Sequence, residues 1–298
     1  MAEYILSAFA DEAGSTPEEQ INALLENKIR YIEPRSFWGK GILKLTDDEL
    51  KEIKATLDKA NIKVSSLGSP IGKYPICDPF EDHLVDFNRA IEVCKILDTT
   101  NIRFFSFYIP KDEDPKKYAD EVIKRMSALS DIAKANGITL NHENEKDIFG
   151  QNPEEVDYLV ANLPDVKFIF DGANYRMSNC DVYHGIDATL KNFGYFHIKD
   201  AIYASQTIVP VGEGEADYPE MIKRVNEAVN GTVFMTIEPH LHVFDAFKDI
   251  DNTDLRGKYS FKSNREAFDF ATNALKKLLA KEGYNETNGL WKKQDSAL

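Results

Sequence analysis

The sequence predicts an α/β protein built as a single (β/α)8 TIM barrel, and three observations point there. Short runs rich in β-branched and aromatic residues alternate with longer amphipathic stretches along the chain, the signature of repeated βαβ units. Eight such runs can be counted, whereas a doubly wound open sheet usually stops at about five to seven strands. The turn after the first run reads Phe9-Ala10-Asp11-Glu12-Ala13-Gly14, which lacks the glycine fingerprint of a dinucleotide site, and no Walker-type phosphate loop occurs elsewhere.

In chain order, strands are expected over 4–9, 30–34, 63–67, 102–108, 138–143, 166–171, 195–199 and 233–238. Helices are expected over 17–28, 46–60, 80–98, 114–136, 153–162, 182–192, 217–229 and 262–282. The first helix opens on Ser15-Thr16-Pro17-Glu18-Glu19, a capping hydroxyl followed by a first-turn proline and acidic residues that suit the positive end of the helix dipole. The second opens on a capping box, Thr46 with Glu49 three residues on. Lys59-Ala60-Asn61 and Ala135-Asn136-Gly137 read as helix exits, where Asn or Gly takes a left-handed conformation. Asp217 is expected to cap the helix at 217–229, and the Gly212-Glu213-Gly214-Glu215 loop before it to be mainly structural. Residues 1–282 form one barrel domain in this reading, and 283–298 a mostly polar tail with Leu290 and Trp291 as its main apolar pair.

A chain of 298 residues, 43% hydrophobic and 29% charged, can bury a large core, which excludes wholesale disorder. A net charge of −14 argues against nucleic acid, whose binding draws on clustered Lys and Arg. No apolar run approaches the roughly 20 residues of a membrane span, and the first residues lack a basic stretch followed by an apolar one; no membrane association and a cytoplasmic location are expected. Three cysteines without a C-x-x-C pair suggest reduced thiols. A homo-oligomer is open, with segment 241–262 a candidate to reach a neighbour's pocket.

In such barrels the active site gathers where the strands end. Four ionisable residues fall there in the second half: Glu143, Asp171, His197 and Glu238. Carboxylates converging on one barrel mouth repel unless a cation or protons compensate, and one divalent metal resolves that cost. Three carboxylates and an imidazole are hard or borderline ligands, so manganese is expected first, with magnesium, cobalt or zinc as alternatives. Lys199 alternates with His197 and so shares its face. It is expected either to bind a substrate oxyanion or to pair with Asp171 or Asp200. Glu33 and Arg35 share a face of the second strand, and a structural ion pair is the alternative to a substrate role. His142 should point away from the metal face, Glu145 competes with Glu143 as a ligand, and His240 follows Glu238 closely enough to touch substrate.

Glu143 with Asn144, Phe170-Asp171-Gly172-Ala173-Asn174, His197-Ile198-Lys199-Asp200, the run 211–217 and Ile237-Glu238-Pro239 resemble the xylose isomerase-like barrels of the sugar phosphate isomerase/epimerase family, over most of the chain up to about residue 282. The resemblance implies that Glu143, Asp171, His197 and Glu238 bind one metal. It implies too that Glu143 and Glu238 exchange protons with a small carbohydrate, through an enediolate, in an isomerase or epimerase. Glu33 and Arg35 resemble a substrate-side Glu-x-Arg in relatives, and Lys199, Asn174 and His240 complete the expected substrate set. Two positions depart from the ketose epimerases: Asn174 replaces a His, and Tyr203 stands where an Arg is usual. The alternatives are a lyase or dehydratase of a keto-inositol or oxidised sugar, a non-catalytic sugar-binding barrel, and an endonuclease-four-like DNA repair enzyme. The last would need extra histidines near Leu67-Gly68-Ser69 and Ser106-Phe107-Tyr108, where there are none.

Overall fold

The computed structural model describes residues 1–242 and 259–294. Most of the segment 241–262, expected to reach a neighbour, lies outside them. Strand β1 (Ala2–Ala8) runs parallel to β13 (Gly231–Ile237) over its whole length, Ala2 opposite Gly231 and Ala8 opposite Ile237. From β13 the ladder continues through β10 (Phe193–Ile198), β9 (Lys167–Asp171), β8 (Thr139–Glu143), β7 (Asn101–Phe104) and β6 (Leu67–Gly68). The remaining wall is β2 (Tyr31–Ile32) paired in parallel with β5 (Lys63–Val64). Single backbone bonds join it to its neighbours: Glu33 N–H donates to Ala8 O at 3.0 Å, and Gly68 N–H to Pro34 O at 3.0 Å. The ring is therefore a TIM barrel with a thin seam between β1 and β2.

The second and third barrel strands are shorter than expected, and the third is broken into β5 and β6. Ser65 lies at the break, where its hydroxyl meets Ser7 Oγ at 2.6 Å and Asn101 Nδ2 donates to its carbonyl at 3.1 Å, so side chains do part of what a regular ladder would do. The strand expected over 102–108 stops at Phe104, and Phe107 takes a positive φ of 71°. Small hairpins fill two loops at the strand ends: β3 (Ser36–Phe37) with β4 (Lys40–Gly41), and β11 (Asp200–Ile202) with β12 (Thr207–Val209).

Helices α1 (Pro17–Glu26), α2 (Asp47–Lys59), α3 (Phe80–Leu97), α4 (Ala119–Ala135) and α5 (Pro153–Asn162) surround the first half. Both capping boxes form, Thr16 with Glu19 and Thr46 with Glu49. After β9 comes a short helix absent from the sequence reading, α6 (Gly172–Met177), before α7 (Val182–Leu190). Then come α8 (Tyr218–Ala228) and α9 (Asn264–Lys281). Asp217 does not cap α8. It sits at φ 48° and its carboxylate accepts from Tyr183 OH at 2.6 Å, because the left-handed backbone turns it away from the helix amides. Among the described residues no helix is long and apolar enough to cross a membrane.

Residues after α9 form a hairpin, β14 (Tyr284–Thr287) and β15 (Leu290–Lys293), whose second strand pairs antiparallel with β1 at Tyr4 and Ile5. Tyr284 and Trp291 are buried, with the Tyr284 ring 5.2 Å from that of Tyr4. The hairpin thus occupies the end of the β1–β2 seam that backbone pairing leaves open.

Period-two alternation sorts the strands' side chains. Phe104, His142, Phe168, Phe170, Phe196 and Met235 face outward to the helices and are buried there. Ser7, Arg103, Asn141, Glu143, Asp171, His197 and Thr236 face the barrel axis, as the lateral pairs Arg103–Asn141, His197–Asp171 and His197–Thr236 require. The axis-facing side chains toward the strands' C-terminal ends are therefore mostly polar, with Ile169, lateral partner of Glu143, among them, and most of the apolar core lies in the surrounding layer.

Candidate metal centre

Glu143 is the last residue of β8, Asp171 the last of β9, His197 the penultimate residue of β10, and Glu238 follows the end of β13. Each is anchored by an outward-facing aromatic or aliphatic neighbour, so these four side chains are carried to one end of the barrel. One ligand atom from each lies within 4.8 Å of the other three, and all four residues are buried. Asp171 also caps α6, its Oδ1 accepting from Asn174 N at 2.9 Å. That leaves Oδ2 buried in the cluster, accepting no hydrogen bond and facing the Lys199 ammonium.

The charges form a tight network. His197 Nδ1 lies 2.8 Å from Glu143 Oε1 and 4.0 Å from Glu238 Oε2. Lys199 Nζ stands 3.2 Å from both Asp171 Oδ2 and Glu238 Oε2. Arg103 reaches Glu143 Oε2 at 3.2 Å and Arg35 reaches Glu238 Oε1 at 3.0 Å. Burial opposes ionisation of Glu143, but His197 and Arg103 outweigh it and hold its carboxyl at about 2. Burial is likewise overcome at Glu238 by the charges of Lys199, Arg35 and His197, which keep it well below the carboxylate range. Asp171 fares differently: burial, opposed by Lys199 but reinforced by Glu238 and Glu143, pushes it up to about 7. Against burial, Glu143 and Glu33 raise the His197 imidazole to about 10.

These values describe a cluster short of positive charge, holding a proton on His197 and resisting the third carboxylate. A divalent cation fits it: three carboxylate oxygens and one imidazole nitrogen converge, and Asp171 Oδ2, which accepts no hydrogen bond, has only the Lys199 ammonium as a charge partner. A second group, Glu12, Glu238 and His240, shares Glu238 with the first, but there Arg35 already pairs with both carboxylates.

Of the other expected residues, Lys199 pairs with Asp171, whereas Asp200 points away and accepts four backbone N–H bonds, from Ala201, Gly212, Gly214 and Ala216. Arg35 pairs with Asp11, Glu12 and Glu238 and not with Glu33. Glu33 lies fully buried one pleat deeper, against Tyr195, Thr236 and His197. Asn174 uses its side-chain amide to donate to Asn144 O at 2.8 Å. His240, at φ 47°, packs between Glu12 and Glu238, and burial holds its imidazole neutral. Glu145 is outside the cluster, paired with Lys73 at 2.9 Å. His142 faces the helices, bonded to Ser106 Oγ at 2.8 Å.

Sequence reasoning missed Asp11, Glu12, Lys73 and Arg103. Arg103 carried a usable signal, since a lone arginine between Ile102 and Phe104 in a strand must find a partner if buried. Its guanidinium lies between the rings of Phe9 and Phe105, 5.2 and 4.9 Å from their centroids. Asp11 and Glu12 carried no such signal, because exposed acidic residues after a strand are common.

A barrel of parallel strands with a buried carboxylate and histidine cluster at the strands' C-terminal ends defines a class of TIM barrels whose mouth could hold a metal ion. Within that class the chain belongs to the xylose isomerase-like TIM barrel family, whose model matches residues 21–253. No curated protein matches the sequence. Among solved structures, the IolI protein with a binding zinc atom superposes with a TM-score of 0.72 at 15% identity, covering 93% of this chain and 99% of that one. The D-psicose 3-epimerase of Clostridium cellulolyticum H10, crystallised with D-tagatose, gives 0.70 at 14% identity, covering 92% and 99%. The probable 3-DHS dehydratase AsbF of Bacillus anthracis gives 0.67 at 14%, covering 91% and 98%. At these identities the likeness is one of fold.

Proposed function

We propose that this protein is a metal-dependent isomerase or epimerase of a small sugar or keto-sugar, acting at Glu143, Asp171, His197 and Glu238. The observation that carries this reading is the convergence of those four buried side chains at the mouth of the barrel. One divalent ion, manganese first with magnesium, cobalt or zinc as alternatives, would polarise a substrate carbonyl and offset the negative charge of the enediolate left when the α-proton departs. That similar structures hold a zinc atom in one case and D-tagatose in another supports a metal and a small sugar as ligands.

Glu143 and Glu238 are the proton-transfer groups. Both are held ionised by the cations around them, the form that accepts a proton, and they come from strands on different sides of His197. A proton taken by one and returned by the other inverts a carbon; returned to the neighbouring carbon it isomerises. Lys199, Arg35 and His240 stand beside Glu238 and orient the substrate's oxygens there, with Asn174 bracing the loop behind Asp171. The catalytic unit is the barrel, residues 1–282.

Elimination of water is the second reading. The Asn174 amide is spent on Asn144 and Tyr203 is exposed at the rim, so the imidazole and guanidinium usual in ketose epimerases are replaced by other chemistry. Both reactions begin with α-proton removal. Protein loaded with Mn2+ is incubated in deuterated water with a panel of ketoses, keto-glycosides and keto-inositols, followed by mass spectrometry. Deuterium gain without mass loss supports isomerisation or epimerisation, and loss of water supports the lyase. Neither change across the panel, with metal bound, would refute both. Glu143→Gln and Glu238→Gln should each cut turnover by about 10²- to 10⁴-fold.

A further inference from the structure

We propose that Glu33 is the positioning carboxylate for His197, fixing its ring so that Nδ1 is offered to the metal and Nε2 carries the proton. The proposal rests on the metal site described under the proposed function, and it assigns Glu33 a place beneath that site.

The imidazole of His197 is held between two carboxylates. On one side Nδ1 faces Glu143 at 2.8 Å and Glu238 at 4.0 Å, both members of the converging cluster. On the other side Nε2 faces Glu33 Oε2 at 3.4 Å, and Glu33 belongs to no ligand group. Its neighbours show its depth: Tyr195 and Thr236 lie two residues before His197 and Glu238 on their strands, one inward position further into the barrel.

Glu33 is fully buried and its oxygens are already oriented. Tyr195 OH donates to Oε1 at 2.9 Å and Thr236 Oγ1 donates to Oε2 at 2.9 Å. A carboxylate receiving two hydroxyl donors presents only acceptor lone pairs to its third neighbour, so His197 Nε2 must be the donor in that contact. Nδ1 is then the nitrogen with a free lone pair once a cation takes the place of its proton. Metal-binding imidazoles generally donate their far N–H to a carboxylate, a backbone carbonyl or water, and a carboxylate there also increases their basicity. The Phe9 ring packs edge-on against the imidazole, with centroids 5.0 Å apart.

The test uses full-length protein labelled with 15N-histidine and titrated with Zn2+. Long-range proton–nitrogen correlation spectra report which His197 nitrogen bears the proton, with the signal assigned by its absence in a His197→Gln variant. The expected result is a proton on Nε2 and zinc on Nδ1. Chelator competition should show Glu33→Gln binding Zn2+ about 10- to 100-fold more weakly, with Glu33→Asp recovering part of the loss. Zinc on Nε2, or an unchanged affinity in a folded Glu33→Gln, would overturn the role given to Glu33 while leaving the metal site standing. Wild-type protein that binds no divalent ion would remove both.

Discussion

Lys199 is the residue on which the metal-free site turns. Its ammonium lies against two of the three carboxylates a cation would use, so it supplies part of the charge that a bound cation would supply. Removing one partner of a buried ion pair leaves the other charge uncompensated, at a cost of about 3–5 kcal/mol. Lys199→Met should therefore lower the melting temperature of metal-free protein, and Mn2+ should restore most of that loss. A variant as stable as wild type without metal would contradict the ion-pair geometry. Glu12 makes a pH prediction. Burial, against the pull of Arg35 and with help from Glu238 and Asp11, pushes its carboxyl up to about 8. The folded value exceeds the unfolded one, so the contribution to stability is fully present below the unfolded value and is lost as pH rises through the folded value. Metal-free wild type should lose thermal stability between about pH 5 and 8, and Glu12→Gln should flatten that slope. Parallel curves would refute the assignment.

At the scale of elements, the loop between β12 and α8 shows how one buried carboxylate orders a backbone. Asp200 gathers four amide donors from residues 201–216, and a Cβ on Gly214 would come within 2.1 Å of Asp200 Oδ1. Gly214→Ala should expel the carboxylate and destabilise the protein by at least about 2 kcal/mol, since hydrogen bonds to charged groups are worth about 1.5–3 kcal/mol each. The denaturant midpoint measures it, and a shift below the error of the method would show that the loop adapts. Elements were legible where their signals were local. The capping boxes at Thr16 and Thr46 need only residues three apart and formed as expected. The cap expected from Asp217 failed because a left-handed backbone cannot be read from an aspartate before Tyr218-Pro219. Helix α6 was hidden for a similar reason, as its first residue is a glycine that reads as a turn.

The whole molecule adds a constraint that no single element shows. Strand β1 has β13 on one side, while its other side is shared between β2 and the C-terminal hairpin. Deleting residues 283–298 should expose the open end of the seam and remove the burial of Tyr284 and Trp291. Full burial of one large apolar side chain is worth about 1.5–3 kcal/mol, so the loss should be several kcal/mol and visible as a lower melting temperature. An unchanged melting temperature would mean that the seam closes without the hairpin. The polar interior sits at the opposite end of the strands, so the truncated protein should still bind Mn2+ while folded.

The sequence by itself determined the eightfold alternation, the parallel barrel and the four residues that close its strands, because hydrophobic period and strand-end position are properties of neighbouring residues. Tertiary structure decided which charges meet. Arg35 and Glu238 are 203 residues apart and become partners only when the last strand closes on the first. The same closure sets Glu33 under His197, brings Asp11 and Glu12 around Arg35, and gives Lys199 to Asp171 rather than Asp200. An ion pair is fixed by distances across the barrel, and a sequence contains those distances only through the fold.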